Sequence, residues 1–103
     1  MARAVFPPKL LSDTKLYAFD FSSYLGNGET ISSAPCSASV YSGTDASPSA
    51  IISGSPTITG AVVTQLFTGG VLGTLYEISC AATTSLGQVL HITGFLVILP
   101  DLV

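Results

Sequence analysis

Apolar and polar residues alternate with a period of two over much of this chain, and the longest such run lies in residues 72–99. In Leu72-Gly73-Thr74-Leu75-Tyr76-Glu77-Ile78-Ser79-Cys80-Ala81-Ala82-Thr83, one face would carry Tyr76, Ile78, Cys80 and Ala82 and the other Glu77, Ser79 and Ala81, which is the pattern of a half-buried strand. Ser85-Leu86-Gly87 follows with a glycine able to take positive φ, and residues 88–99 run back as a second strand rich in β-branched and aromatic residues. The two runs predict a β-hairpin around which the rest of the chain is organised.

The upstream pattern is of the same kind. Residues 14–21 alternate, with Lys15, Tyr17, Phe19 and Phe21 on the face predicted to be buried and Leu16, Ala18 and Asp20 on the other. Residues 22–29 read as a connection in which Tyr24-Leu25 forms a short turn of helix against a sheet edge before Gly26-Asn27-Gly28 breaks the pattern. Residues 30–41 predict a strand bent at Pro35, because proline cannot donate to a ladder. After a loop at residues 42–48 come two short strand pieces, 50–53 and 55–58, interrupted by Gly54 and Pro56. A firmer strand at 61–67 closes into Thr68-Gly69-Gly70. Six or seven short strands, with turn signals roughly every 8–12 residues and no amphipathic helix, predict an all-β, immunoglobulin-like β-sandwich. Tyr76 stands where that architecture places a tyrosine corner, its hydroxyl bonded to nearby backbone; a tyrosine simply filling the core fits the spacing equally well.

Residues 1–13 carry Pro7-Pro8 and no clear periodicity, so they predict an extended N-terminal arm, ordered against a neighbouring subunit, ahead of the sandwich domain at 14–103. Val5, Phe6, Leu10 and Leu11 are its apolar anchors. The last strand is anomalous in another way. Leu90, Ile92, Leu96 and Ile98 alternate with Val89, His91, Phe95, Val97 and Leu99, so both faces are apolar from Phe95 onward. The surplus face calls for cover, either from another subunit or from the chain's own N-terminal segment. His91, Phe95, Val97 and Leu99 therefore join the arm anchors as candidate interface residues.

Composition narrows the function classes. A chain of 103 residues suits one domain, and 9% charged residues with a formal net charge of -3 leave no basic footprint for nucleic acid, the cations being Arg3, Lys9 and Lys15. No run approaches the roughly 20 apolar residues that span a bilayer, and residues 1–8 lack the apolar core of a signal peptide; the expectation is a soluble protein that binds neither membrane nor nucleic acid. His91 is the single histidine and has no serine or second histidine pattern around it, while the acids Asp13, Asp20, Glu29, Asp45, Glu77 and Asp101 match no calcium loop. No catalytic residue, metal ligand or cofactor site is expected. Cys36 and Cys80 lack zinc spacing. Either they approach from two strands, similar to the inter-sheet pair of immunoglobulin domains, or they are two small buried thiols; reduced thiols are expected.

Several short pieces taken in order are familiar: Pro8-Lys9, Leu16-Tyr17-Ala18-Phe19-Asp20-Phe21, Gly28-Glu29-Thr30-Ile31, Thr68-Gly69-Gly70 with Gly73-Thr74-Leu75-Tyr76, and Thr83-Thr84-Ser85-Leu86-Gly87-Gln88. Together they resemble a family of small tailed-bacteriophage virion proteins with an immunoglobulin-like fold, described as fibre-tail adaptor or head-tail structural proteins. The resemblance runs from about residue 8 to residue 97. Relatives often carry tryptophan where this chain has Phe21 and Cys36, and a polar or charged final strand where it has Val89-Leu90. The resemblance implies a non-enzymatic virion component, assembled in the host cytoplasm and present in many symmetric copies. Its partners would be other virion structural proteins, and its task to attach fibres to the tail or neck. A capsid decoration or cement protein of the same fold is the alternative. An immunoglobulin-like carbohydrate-binding module would want exposed aromatics on a flat face, and the chain has no tryptophan.

Overall fold

The computed structural model describes residues 2–101, and of residues 2–5 the backbone path alone. Its strands are β1 (Ala2–Val5), β2 (Lys9–Leu10), β3 (Thr14–Asp20), β4 (Ile31–Ser33), β5 (Cys36–Ser42), β6 (Ile52–Thr59), β7 (Val62–Thr68), β8 (Leu75–Thr84) and β9 (Val89–Leu99), with a single 3-10 turn of helix at Pro48–Ile51. They form two sheets. The larger runs β1-β9-β8-β4, with β2 also on β9 and β5 also on β8; the smaller is β3-β7-β6. This is an all-β sandwich with the immunoglobulin-like division of strands: β3, β7 and β6 form one sheet, and β5, β8 and β9 form the heart of the other.

The β8–β9 hairpin is the framework. Its antiparallel register runs without a slip from Leu75↔Val97 to Thr83↔Val89. Gly87 takes φ 82° in the connecting loop, where Thr84 N–H donates to Gln88 O at 2.8 Å. Because side chains alternate across a strand, Tyr76, Ile78, Cys80, Ala82 and Thr84 of β8 all point inward and are buried. From the opposing sheet come Tyr17, Phe19, Val63, Gln65 and Phe67, with Phe21 just beyond β3, also buried. The aromatic face predicted for β3 is thus the inner one.

Four differences from the sequence reading have plain causes. The strand expected at 30–41 is two strands, β4 and β5, both on β8; Pro35 has no N–H, and its carbonyl still accepts from Ala81 N–H at 3.0 Å. The two pieces expected at 50–53 and 55–58 are one strand, β6, preceded by the 3-10 turn; Gly54 at φ 72° and Pro56 produce a register shift between Ser53 and Thr57 instead of a break. Tyr24 lies in a turn rather than a turn of helix and is half exposed, with Leu25 packed on the core.

The fourth difference is the N-terminal segment, expected to be an arm ordered only against a neighbouring subunit. It is paired here within the single chain: β1 and β2 lie parallel to β9, from Ala2↔Ile92 to Val5↔Phe95 and then Lys9↔Ile98 and Leu10↔Leu99. The prolines do not abolish the ladder. Pro7-Pro8 donates nothing, so the ladder is interrupted there and resumes displaced by one residue.

Polar residues secure the connections. The Tyr76 hydroxyl accepts from Val71 N–H at 2.8 Å and donates to Asp45 Oδ2 at 2.7 Å, while its ring is fully buried, so it is both corner and core. Gln65 Nε2 donates to the carbonyls of Ser53 (2.9 Å), Gly54 (3.1 Å) and Leu66 (3.1 Å), which satisfies the backbone freed by the β6 irregularity. Glu29 is buried with its carboxylate accepting from Gly26 N–H at 2.7 Å and Gln88 Nε2 at 2.9 Å, joining the β3–β4 connection to the central hairpin.

Candidate functional site

The outer face of the large sheet is where the surplus apolar residues lie. With Ile92, Leu96 and Ile98 turned into the core, His91, Thr93, Phe95, Val97 and Leu99 face away from it. Opposite them on β8 are Ala81, Ser79, Glu77 and Leu75, paired with His91, Thr93, Phe95 and Val97 respectively. The β5 register shifts between Val40 and Ser42, so Tyr41 is the extra residue of a bulge. Tyr41 lies in the outward phase of Ser37 and Ser39: it is 64% exposed, and its ring lies 4.7 Å from that of Phe95 at 60°. The result is an apolar strip of Leu75, Tyr41, Phe95, Val97 and Leu99 beside the single carboxylate of Glu77. Farther along, Thr93 Oγ1 and Ser79 Oγ are 3.3 Å apart, and exposed His91 ends the row.

The strip continues onto the N-terminal segment. Leu10 pairs with Leu99, and Leu11 N–H donates to Leu99 O at 2.9 Å, so both leucines sit at the same end of the molecule as the close of β9. Leu11 is 37% exposed. Ser12 fixes this end by donating from N–H and Oγ to the two carboxylate oxygens of Asp101, at 2.9 and 2.6 Å, and these bonds hold the Asp101 carboxyl below the usual carboxylate range. The structure therefore brings Leu10, Leu11, Phe95, Val97 and Leu99 together, with His91 at the far end of the same face.

Phe6 does not join them. Its ring meets Tyr17 and Phe19 edge-on at centroid distances of 5.4 and 5.3 Å, and the Tyr17 hydroxyl donates to Pro7 O at 2.9 Å, so Phe6 closes the chain's own core. The Val5 side chain lies outside the described residues. Two relevant residues went unnoticed in the sequence. Tyr41 follows the inward series Cys36, Ala38 and Val40 and so carries an outward-phase aromatic signal. Lys9 is fully buried beside inward-facing Ile98; its ammonium donates to the carbonyls of Leu10 at 2.7 Å and Leu11 at 3.2 Å. Burial lowers its pKa, against the opposing pull of Asp13 and Asp101.

Among the described residues no group of three or more His, Cys, Asp or Glu is placed to hold a metal ion, and no helix is long and apolar enough to cross a membrane. Cys36 and Cys80 are free thiols directly opposite each other on β5 and β8, so they are cross-strand neighbours within one sheet and not a pair between the sheets. The Cys80 thiol is pushed up by its hydrogen bond with Cys36 and by burial.

By its fold the chain belongs to the class of all-β sandwiches, here with a patterned, half-exposed apolar strip on the outer face of the larger sheet. The comparison with known families places it within that class: the model of the podophage GP4 fiber-tail adaptor protein gp77 family matches residues 9–96, and the chain belongs to that family. No curated protein matches the chain.

Proposed function

We propose that this protein is a non-enzymatic virion component that joins a fibre to the tail, and that the outer face of β9 seats the neighbouring virion subunit. The observation that carries the reading is the row of Phe95, Val97 and Leu99 on β9, which alternates with a complete core face on the same strand and is flanked by Tyr41 of β5. A monomer has no use for an apolar row on the outer side of a strand whose inner side already fills the core. Leu10 and Leu11 extend the contact at one end and His91 bounds it at the other. Membership of the adaptor family supports a tail and a fibre subunit as the partners, and symmetric copies assembled in the host cytoplasm follow from that role.

The test is reconstitution of particles with Phe95→Asp or Val97→Asp protein. Both positions lie on the outer side of β9, so the variants should keep the wild-type circular dichroism spectrum while incorporation falls at least tenfold. Folded variants that enter particles at the wild-type level would refute the assignment of this face.

A further inference from the structure

The two cysteines make up a chemical site that the outer face of β9 does not use. Ala81 N–H donates to Pro35 O at 3.0 Å, so Pro35 and Ala81 are a hydrogen-bonded pair of the antiparallel ladder that leads into β5. The next pair along, Cys36 and Cys80, is therefore of the non-hydrogen-bonded kind, in which facing Cα atoms stand about 4.5 Å apart and side chains come closest. That spacing falls within the roughly 4.4–6.8 Å that a disulfide bridges. Both side chains pack towards the core, and both sulfurs converge on one atom: Ala34 O lies 3.9 Å from Cys36 Sγ and 3.8 Å from Cys80 Sγ.

Their surroundings assign different roles to the two thiols. Cys36 stands on β5, whose one ladder among the described residues is with β8, and it is partly exposed, so a small molecule reaches its sulfur from solvent. Cys80 stands on the central strand β8 and is fully buried. The hydrogen bond between the two thiols lowers the pKa of Cys36 and raises that of Cys80, which burial pushes further up. Cys36 is thus the nucleophile, and Cys80 holds the proton beside it.

We propose that Cys36 and Cys80 are an oxidisable dithiol, closed by a low-molecular-weight disulfide into a cross-strand bridge that pins β5 to β8. The Cys36 thiolate attacks one sulfur of the small disulfide; a bond from Cys36 Sγ to that sulfur forms as the small disulfide breaks, and the thiolate released takes a proton from water. With Cys36 capped, the charge and the hydrogen bond that held the Cys80 proton are gone. Cys80 gives up its proton, its sulfur attacks Cys36 Sγ, and the second small thiolate leaves and is protonated. Two protein thiols are oxidised to one disulfide, and one small disulfide is reduced to two thiols. Burial of Cys80 makes this second step the slower one, and the facing positions of the two residues make it intramolecular. A thiol-rich host cytoplasm keeps the pair open, and oxidising surroundings after release close it. That timing alone rests on the virion reading; closure is a property of the chain itself.

The test takes the full chain, which keeps two thiols when isolated without oxidant, incubates it with oxidised glutathione and follows it by mass spectrometry without reduction. The expected product is a monomer lighter by two hydrogen atoms, with the Cys36 and Cys80 peptides linked. Cys80→Ala should stop at a glutathione adduct on Cys36, and Cys36→Ala should react about tenfold or more slowly, because its remaining thiol is buried. The bridged chain should show a higher urea midpoint than the reduced one, since the bridge constrains residues 36–80 in the unfolded state. Wild-type protein that stays unmodified, stops at the Cys36 adduct or forms bridges between chains instead of within one would overturn the proposal, as would a bridge that leaves the midpoint unchanged or lower. The wild-type outcome decides the matter even where a core substitution such as Cys80→Ala does not fold. Every readout comes from the isolated chain, so failure here is distinct from failure of the contact proposed for β9.

Discussion

The Tyr76 hydroxyl links the turn before β8, through Val71 N–H, to the loop after β5, through Asp45, while the ring fills the core. Tyr76→Phe keeps the ring and strands both partners, so a loss of about 1–3 kcal/mol is expected in urea denaturation, with an unchanged slope. The same hydroxyl shapes the response to alkali. Burial first, and Asp45 next, push the Tyr76 pKa up to about 12 from 10.0, and burial does the same for Tyr17. A group whose folded pKa is raised contributes stability that is complete below its unfolded value, so melting temperature should fall as pH rises from about 10 towards 12. The carboxylates have the opposite sign. Glu29 is lowered chiefly by its hydrogen bond with Thr84, Asp45 by that with Tyr76 and Asp101 by that with Ser12. Their contribution is present above the ordinary carboxylate range, near pH 4, and drains away as pH falls through the lower folded values. A melting series should therefore show a plateau with a decline at each end, and Tyr76→Phe should soften the alkaline one.

Among the elements, legibility followed periodicity. β8, β9, β3 and β7 each alternate; β9, β3 and β7 appear within one residue of their predicted limits and β8 starts three residues late, because a strand buried on one face must repeat every second residue whereas Leu72-Gly73-Thr74 belongs to the preceding turn. β1 and β2 carried no such signal, because they join β9 through parallel backbone bonds at an edge; among the described side chains of this segment, Phe6 and Lys9 reach inward. The proposed contact face was legible for the same reason: the outward phase of β9 could be counted, and Tyr41 continues the outward phase of Ser37 and Ser39 on β5, a count that stops at the bulge after Val40. Close packing between elements was not legible at all. At Gly70, φ 103°, an added Cβ would fall 2.8 Å from Ile98 Cγ1, where the turn before β8 presses on β9. Gly70→Ala is expected to cost about 1–3 kcal/mol, read as a lower urea midpoint. The cysteine pair belongs to this scale too. Cys36 is partly exposed and Cys80 fully buried, so unreduced mass spectrometry should find two free thiols, with Cys36 alkylated well before Cys80.

At the scale of the whole molecule, the principal-axis extents are 44, 21 and 20 Å, and the N-terminal segment lies along β9 rather than apart from the domain. That placement decides what truncation does. Residues 2–5 and 9–10 satisfy the outer edge of β9, Phe6 covers Tyr17 and Phe19, and the Lys9 ammonium holds the Leu10 and Leu11 carbonyls. Deleting residues 2–11 uncovers the aromatic end of the core and leaves β9 with β8 as its one remaining neighbour in the sheet. Set against a total stability on the order of 5–15 kcal/mol, the expected loss is several kcal/mol, visible as a lowered denaturation midpoint in the isolated protein. Phe6→Ala tells packing from pairing, since it keeps the backbone and removes the ring; burial of one such side chain is worth about 1.5–3 kcal/mol, so it should account for part of the truncation and not for all of it. If the truncated chain instead matches the full one in stability, residues 2–11 contribute nothing to the isolated fold, and their apolar side chains are left to act in assembly alone.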